Sequence, residues 1–192
     1  VKTGEWDWSV GRPIPRLAGS TIGLVAFGKI ARRLAAKLRG FDVDVVVYDP
    51  YARDYRMADF GAEKVGFEEL LERSDAISIH APLTDETREL FDADAFAAMK
   101  EGAVLANTAR GPIVEEAALV EALDSGRLGA AGMDVREEEP PGDSALHEME
   151  NVLLSPHVAW YSEASRAELT RTVAEDVVRV LRGETPHNPV DP

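Results

Sequence analysis

Apolar residues fall along this chain in short unbroken runs, separated by stretches in which they return every three or four positions. The runs Thr21–Ala26, Val43–Tyr48, Ala76–His80, Ala103–Asn107, Ala130–Val135 and Asn151–Leu154 predict strands. Most lack the alternation of a half-solvated strand, so both faces of the sheet should be buried. Val65 is expected in a very short strand after Gly61. The periodic stretches predict helices over Lys29–Arg39, Phe67–Arg73, Asp92–Met99, Glu115–Ser125 and Glu163–Leu181. In the first of these Ile30, Leu34 and Leu38 stand four apart. Asp94 near the start of the third suits the helix dipole. Gly126 after the fourth, and Gly183 with Pro186 after the last, are stop signals. Residues 1–17 have no clear period and read as a lead-in, packed by Trp6 and Trp8. Pro140-Pro141-Gly142-Asp143 reads as a loop inside a domain. Strand and helix alternate throughout, which predicts an α/β fold: a doubly wound, Rossmann-type parallel sheet with helices on both faces.

Composition narrows the function. The 192 residues suffice for one domain with a sizeable core, and 45% hydrophobic content is that of a soluble globular protein. No apolar run approaches the ~20 residues of a membrane span. No charged-then-apolar leader stands at the start, so no export is expected. There is no cysteine, hence no disulfide or thiolate chemistry, which fits a reducing, cytoplasmic compartment. A net charge of −14 disfavours nucleic acid and anionic membranes as partners. Sixteen Arg stand against five Lys. A halophilic, high-salt cytoplasm and GC-rich coding would each produce that bias. The first residue is Val1, which predicts a fragment or a processed chain.

Two constellations carry chemistry. The first is Val25-Ala26-Phe27-Gly28-Lys29-Ile30-Ala31, a strand-to-helix turn close to Gly-x-Gly-x-x-Gly/Ala. In that pattern the middle glycine admits the pyrophosphate to backbone, and the helix N-terminus holds the anion. Ala26 stands for the first glycine and is acceptable at negative φ. Asp49 ends the second strand, 21 residues after Gly28, where a carboxylate can bind the adenosine ribose and repel a 2′-phosphate. Pro50-Tyr51 offers no Arg for such a phosphate, so NAD is expected rather than NADP. Gly23-x-x-x-x-Gly28-Lys29 imitates a P-loop, but Ile30 follows where a magnesium-binding hydroxyl belongs.

The second constellation is Arg110, Glu139 and His157, each just beyond a strand end: an anion clamp, a carboxylate and a proton carrier. Singly, a His after Pro is an ordinary turn residue, and a Glu within Glu137–Glu139 an ordinary solvated one.

The segments Ile22–Ala31, Tyr48-Asp49-Pro50-Tyr51, His80-Ala81-Pro82-Leu83, Asn107–Pro112, Met133–Pro140 and Ser155–Ala164 together resemble the D-isomer-specific 2-hydroxyacid dehydrogenases. Within that family the run Pro156-His157-Val158-Ala159-Trp160-Tyr161-Ser162-Glu163 looks like the C-terminal binding protein branch, most relatives having glycines where Trp160-Tyr161 stand. The resemblance covers nearly the whole chain. It implies an NAD-dependent oxidoreductase interconverting a 2-oxo acid and a D-2-hydroxy acid. Arg110 would clamp the substrate carboxylate and carbonyl, His157 would carry the proton, and Glu139 would orient His157. Ala26, Gly28, Lys29, Ile30 and Asp49 would hold the cofactor. Asp134 would hold the nicotinamide carboxamide, Thr108 and Ala109 would approach the nicotinamide through backbone, and His80 and Pro82 would line the cleft; His80 is equally readable as a packed strand-end residue. Trp160 would wall the substrate pocket and favour a larger or thioether-bearing 2-oxo acid. No metal is expected. The resemblance further implies a homodimer, a hinge at 1–17, an NAD-binding domain over 18–160, a helix and tail over 161–192 returning toward the substrate domain, and a substrate-binding domain that precedes the lead-in in the family and is absent here. Two other readings follow from the same resemblance: an NAD-sensing corepressor-like binding protein, and a cofactor-binding fragment inactive without its substrate domain.

Overall fold

The computed structural model describes residues 14–189, with Gly4, Trp6 and Asp7 before them. Most of the lead-in, Trp8 included, lies outside the described residues; Trp6 is 88% exposed, which corrects its expected packing role. The chain divides between Leu154 and Ser155 into two compact units.

Among the described residues the first unit is built on seven strands, all parallel: β1 (Thr21–Val25), β2 (Asp44–Tyr48), β3 (Ala62–Lys64), β4 (Ala76–Ile79), β5 (Ala103–Asn107), β6 (Leu128–Met133) and β7 (Val152–Leu154). Their order across the sheet is β3-β2-β1-β4-β5-β6-β7. The chain steps outward from β1 to β3, then returns to lay β4 on the other side of β1. That reversal opens a crevice beyond the carboxyl ends of β1 and β4, where open α/β sheets take their ligands.

The helices are α1 (Lys29–Leu38), α2 (Asp54–Ala58), α3 (Phe67–Arg73), α4 (Ala93–Ala98) and α5 (Glu116–Asp124). Successive strand residues point to opposite faces, and each face has its own core. Ile22, Leu24, Val45 and Val47 pack with Ala31, Ala35 and Met57. Val25, Val46, Ile77, Ile79 and Leu105 pack with Leu70, Phe91, Phe96 and Leu119. Each such side chain removed from water contributes roughly 1.5–3 kcal/mol. The expected doubly wound sheet is therefore the observed one.

Differences lie at the edges of elements. The buried stripe of α1 is Ala31 and Ala35, with Leu34 and Leu38 beside it, while Ile30 is 69% exposed. Small residues face the sheet because they let the helix lie close to it. Val65 follows β3 instead of standing in it, and closes the ladder with one bond from its N–H to Val47 O, 2.9 Å. β6 starts two residues earlier than expected. α2 had no periodic signal, since five residues with Met57 as the buried anchor make no period. The third expected helix is capped by Asp92, whose Oδ1 accepts the Ala95 N–H at 2.9 Å.

The second unit holds a turn over 155–161 and the helix α6 (Glu163–Leu181), at the bounds the pattern predicts. Ser162 and Ser165 cap it reciprocally, each hydroxyl accepting the other's N–H, at 3.0 and 2.7 Å. Gly183, at φ 76°, ends it. Leu169, Val173, Val177 and Val180 leave an exposed apolar stripe. Asp176 takes the N–H of His187 at 2.6 Å, which folds the tail back on the helix. No described helix is long and apolar enough to cross a membrane.

Candidate active site

The dinucleotide turn forms where β1 runs into α1. Ala26 lies in the left-handed region at φ 69°, which corrects the expectation of a negative φ. Its N–H donates to Tyr48 O at 2.7 Å, so the turn is tied to β2. An L-residue there costs roughly 1–2 kcal/mol, which a glycine would not. Buried Phe27 anchors the turn edge-on to Phe60, with ring centroids 5.6 Å apart. Gly28 is the N-cap of α1, no side chain caps the helix, and its first turn has no acidic residue. A Cβ added at Gly28 would meet nothing within 4 Å, so the space before the helix is open to an approaching group. Unopposed helix N–H groups beside open space suit a pyrophosphate.

Asp49 organises this corner. Its Oδ2 accepts the Phe27 N–H at 2.8 Å, and its Oδ1 accepts those of Tyr51 and Ala52, both at 2.9 Å. A carboxylate has about four acceptor sites, so roughly one is left for a ribose hydroxyl. The residue fixes the protein's own turn first and has capacity for a cofactor second.

His80 follows β4, its N–H donating to Val25 O at 2.9 Å. Burial pushes the imidazole below its ordinary range, so it is neutral at pH 7. Its Nε2 is a buried polar atom with no hydrogen-bond partner. Native structures seldom leave such atoms unsatisfied. Pro82 is exposed, and its carbonyl accepts the Thr87 hydroxyl at 2.7 Å.

The Arg110 loop is built by Asn107, a residue the sequence reading passed over. Fully buried at the end of β5, its Oδ1 accepts the Ala109 N–H at 3.0 Å and its Nδ2 donates to Arg110 O at 2.9 Å. Thr108 and Arg110 are thereby held outward and exposed, with the guanidinium donating to Ala109 O at 2.7 Å. Asp134, buried after β6, donates its N–H to Asn107 O at 3.0 Å. Gly111 then lies directly on the next loop: a Cβ there would come within 1.7 Å of Arg136 O.

Arg136 is the hub of that next loop. Buried, it makes a bidentate pair with Glu116 of α5, Nε–Oε1 2.8 Å and Nη2–Oε2 2.9 Å. Glu116 also accepts the Glu137 N–H at 2.9 Å, and Arg136 holds its carboxyl below the usual carboxylate range. The Arg136 N–H donates to Glu139 Oε1 at 3.0 Å. Arg110 and Glu139 are therefore brought onto adjoining loops. A lone Arg beside an acidic run, with Gly after Arg110, was the available signal for this hub.

His157 and Trp160 stand together in the second unit. His157 takes a left-handed turn at φ 55°, and its carbonyl accepts the Trp160 indole N–H at 2.9 Å. Trp160 packs edge-on to Tyr161 at 5.6 Å, and both are exposed.

Comparison with known proteins gives the family and supports the fold. Residues 1–159 match the family model for the D-isomer specific 2-hydroxyacid dehydrogenase, NAD binding domain. The chain is 40% identical to a glyoxylate reductase of Korarchaeum cryptofilum, over all of this chain and 59% of that protein. It is 38% identical to a D-3-phosphoglycerate dehydrogenase of Methanocaldococcus jannaschii, over all of this chain and 36% of that protein. Among solved structures, the holo D-mandelate dehydrogenase of Rhodotorula graminis superposes with a TM-score of 0.89 at 35% identity, covering 96% of this chain and 55% of that one. The D-lactate dehydrogenase of Lactobacillus jensenii with NAD+ gives 0.81 at 30% identity, covering 90% and 56%. The chain thus spans less than two thirds of the length of each of these relatives. It belongs to the D-isomer specific 2-hydroxyacid dehydrogenase family, whose NAD-binding domain it matches, and NAD is its cofactor.

Proposed function

We propose that this chain is the cofactor-binding part of an NAD-dependent dehydrogenase that reduces a 2-oxo acid to a D-2-hydroxy acid. The observation that carries the reading is the seating of Gly111 on the Arg136 carbonyl. It ties the Arg110 loop to the Glu139 loop, on the same edge of the sheet as the Ala26–Ile30 turn. NAD, when bound, supplies the nicotinamide that gives or takes the hydride. Arg110, exposed and braced through Asn107, offers the substrate carboxylate a forked pair of hydrogen bonds. His157 passes the proton to the substrate oxygen as the carbonyl carbon gains hydride. Glu139 orients His157, a role supported by the family resemblance of Met133–Pro140 and Ser155–Ala164. Thr108 and Ala109 border the nicotinamide, Asp134 holds its carboxamide, and Trp160 walls the substrate pocket. The reading includes a cytoplasmic location and a homodimer, and sedimentation of the purified protein tests the homodimer.

The test is a panel of 2-oxo acids with NADH on the full-length protein. Arg110→Lys keeps the charge and loses the fork, so kcat/KM should fall by at least about 100-fold while NADH binding changes little. Full activity in that variant would assign the carboxylate to another residue.

A further inference from the structure

The loops after β2 and β4 are joined by a hydrogen bond that the reading above leaves unused: the Tyr51 hydroxyl donates to Glu86 Oε2. β1 lies between β2 and β4 in the sheet, so this bond spans the carboxyl end of β1, beside the dinucleotide turn. Both ends are anchored. The Tyr51 N–H donates to Asp49 Oδ1 at 2.9 Å. The Glu86 loop is closed by Thr87, whose hydroxyl accepts the Thr84 N–H at 2.8 Å and donates to Pro82 O at 2.7 Å. Tyr51 itself is 78% exposed. Tyr51 therefore links two carboxylates, its hydroxyl donating to Glu86 across the crevice and its backbone N–H to Asp49 on its own loop. Its pKa is raised chiefly by the Glu86 hydrogen bond, and Asp49 acts in the same direction.

We propose that Glu86, fixed by Tyr51, is a second carboxylate at the adenosine end of the crevice, and that it rejects the 2′-phosphate of NADP together with Asp49. The inference rests on the reading that Asp49 meets the adenosine ribose. Arg53 and Arg88 are exposed on these same two loops, and their charges would attract such a phosphate. The Glu86 carboxylate, on the same loop as Arg88, offsets that attraction, and like-charge repulsion of this kind is a common route to specificity.

The dissociation constants of NADH and NADPH, read from nicotinamide fluorescence, test this on the 192-residue chain and its variants. Glu86→Gln should lower the NADPH-to-NADH ratio of dissociation constants about fivefold at low salt, and Glu86→Lys should lower it further. The change should shrink in high salt, as an exposed charge effect does. Tyr51→Phe keeps the charge but frees the carboxylate, and should lower the ratio less than Glu86→Gln. If Asp49→Asn moves the ratio and neither Glu86 variant does, this inference falls and the Asp49 reading stands. If none of the three moves it, or NADH does not bind, both fall.

Discussion

Ala26 holds an L-residue where the dinucleotide turn asks for glycine, at φ 69°. Relieving roughly 1–2 kcal/mol of strain, against the 0.5–1 kcal/mol that a glycine loses in the unfolded chain, leaves a net gain of up to about 1.5 kcal/mol. Ala26→Gly should accordingly raise the midpoint of thermal unfolding, and an unchanged or lower midpoint would mean that the Ala26 methyl is worth more in packing than its φ costs. His80 makes a second residue-scale prediction. Its imidazole is kept neutral by burial, so its folded pKa lies below the unfolded value near 6.5. Above 6.5 neither state binds the proton and there is no penalty. As pH falls below 6.5 the unfolded state takes a proton that the folded state refuses, and stability is lost until the folded pKa is passed. Urea unfolding at pH 7.5 and pH 5.5 should show this drop, and His80→Gln should reduce it. At this scale the sequence revealed Gly28 and Asp49 because their chemistry recurs at a fixed spacing. It concealed what Asp49 does for its own chain, since three backbone N–H groups converge on it only in three dimensions.

Among elements, α5 and the loop after β6 are locked by Glu116 and Arg136. Removing one partner of a largely buried pair leaves the other uncompensated, so Glu116→Gln should cost roughly 3 kcal/mol. The sign of the pH effect follows from the folded carboxyl lying below its unfolded value near 4.5. The pair's contribution is whole above that value and is lost as pH falls through the folded one. The acid limb of the stability curve should be shallower in Glu116→Gln than in wild type; identical limbs would show that the pair is not what titrates. Gly111→Ala, which drives a methyl into Arg136 O, should also destabilise, by about 1–3 kcal/mol, and should weaken any activity that needs Arg110 and Glu139 together. Strands were legible because both faces of the sheet are buried, and α6 because its period runs up to the stop residues Gly183 and Pro186. The α1 stripe was misread because alanines, which carry little hydrophobic signal, are what the sheet admits closely. α2 was missed because it is five residues long.

For the molecule as a whole, this chain spans 59% of the length of one relative and 36% of another. On the proposed function, water exclusion and substrate contacts need a second, closing domain, so the 192-residue chain alone should bind NADH yet turn over 2-oxo acids far more slowly than the same residues joined to such a domain. Equal kcat values in parallel assays would show the residues described here to be sufficient. Fold class was readable at this scale from the strand–helix alternation alone. The joining of Arg110 to Glu139 was not, because it depends on a glycine meeting a carbonyl 25 positions away in sequence. A last consequence concerns the sheet's two margins, β3 and β7, each only three residues long. A passing chain finds few unpaired N–H and C=O groups there, too short a template on which to grow a fibril. Crowded solutions of this protein are thereby guarded against edge-to-edge polymerisation, even though Leu153 on β7 faces solvent.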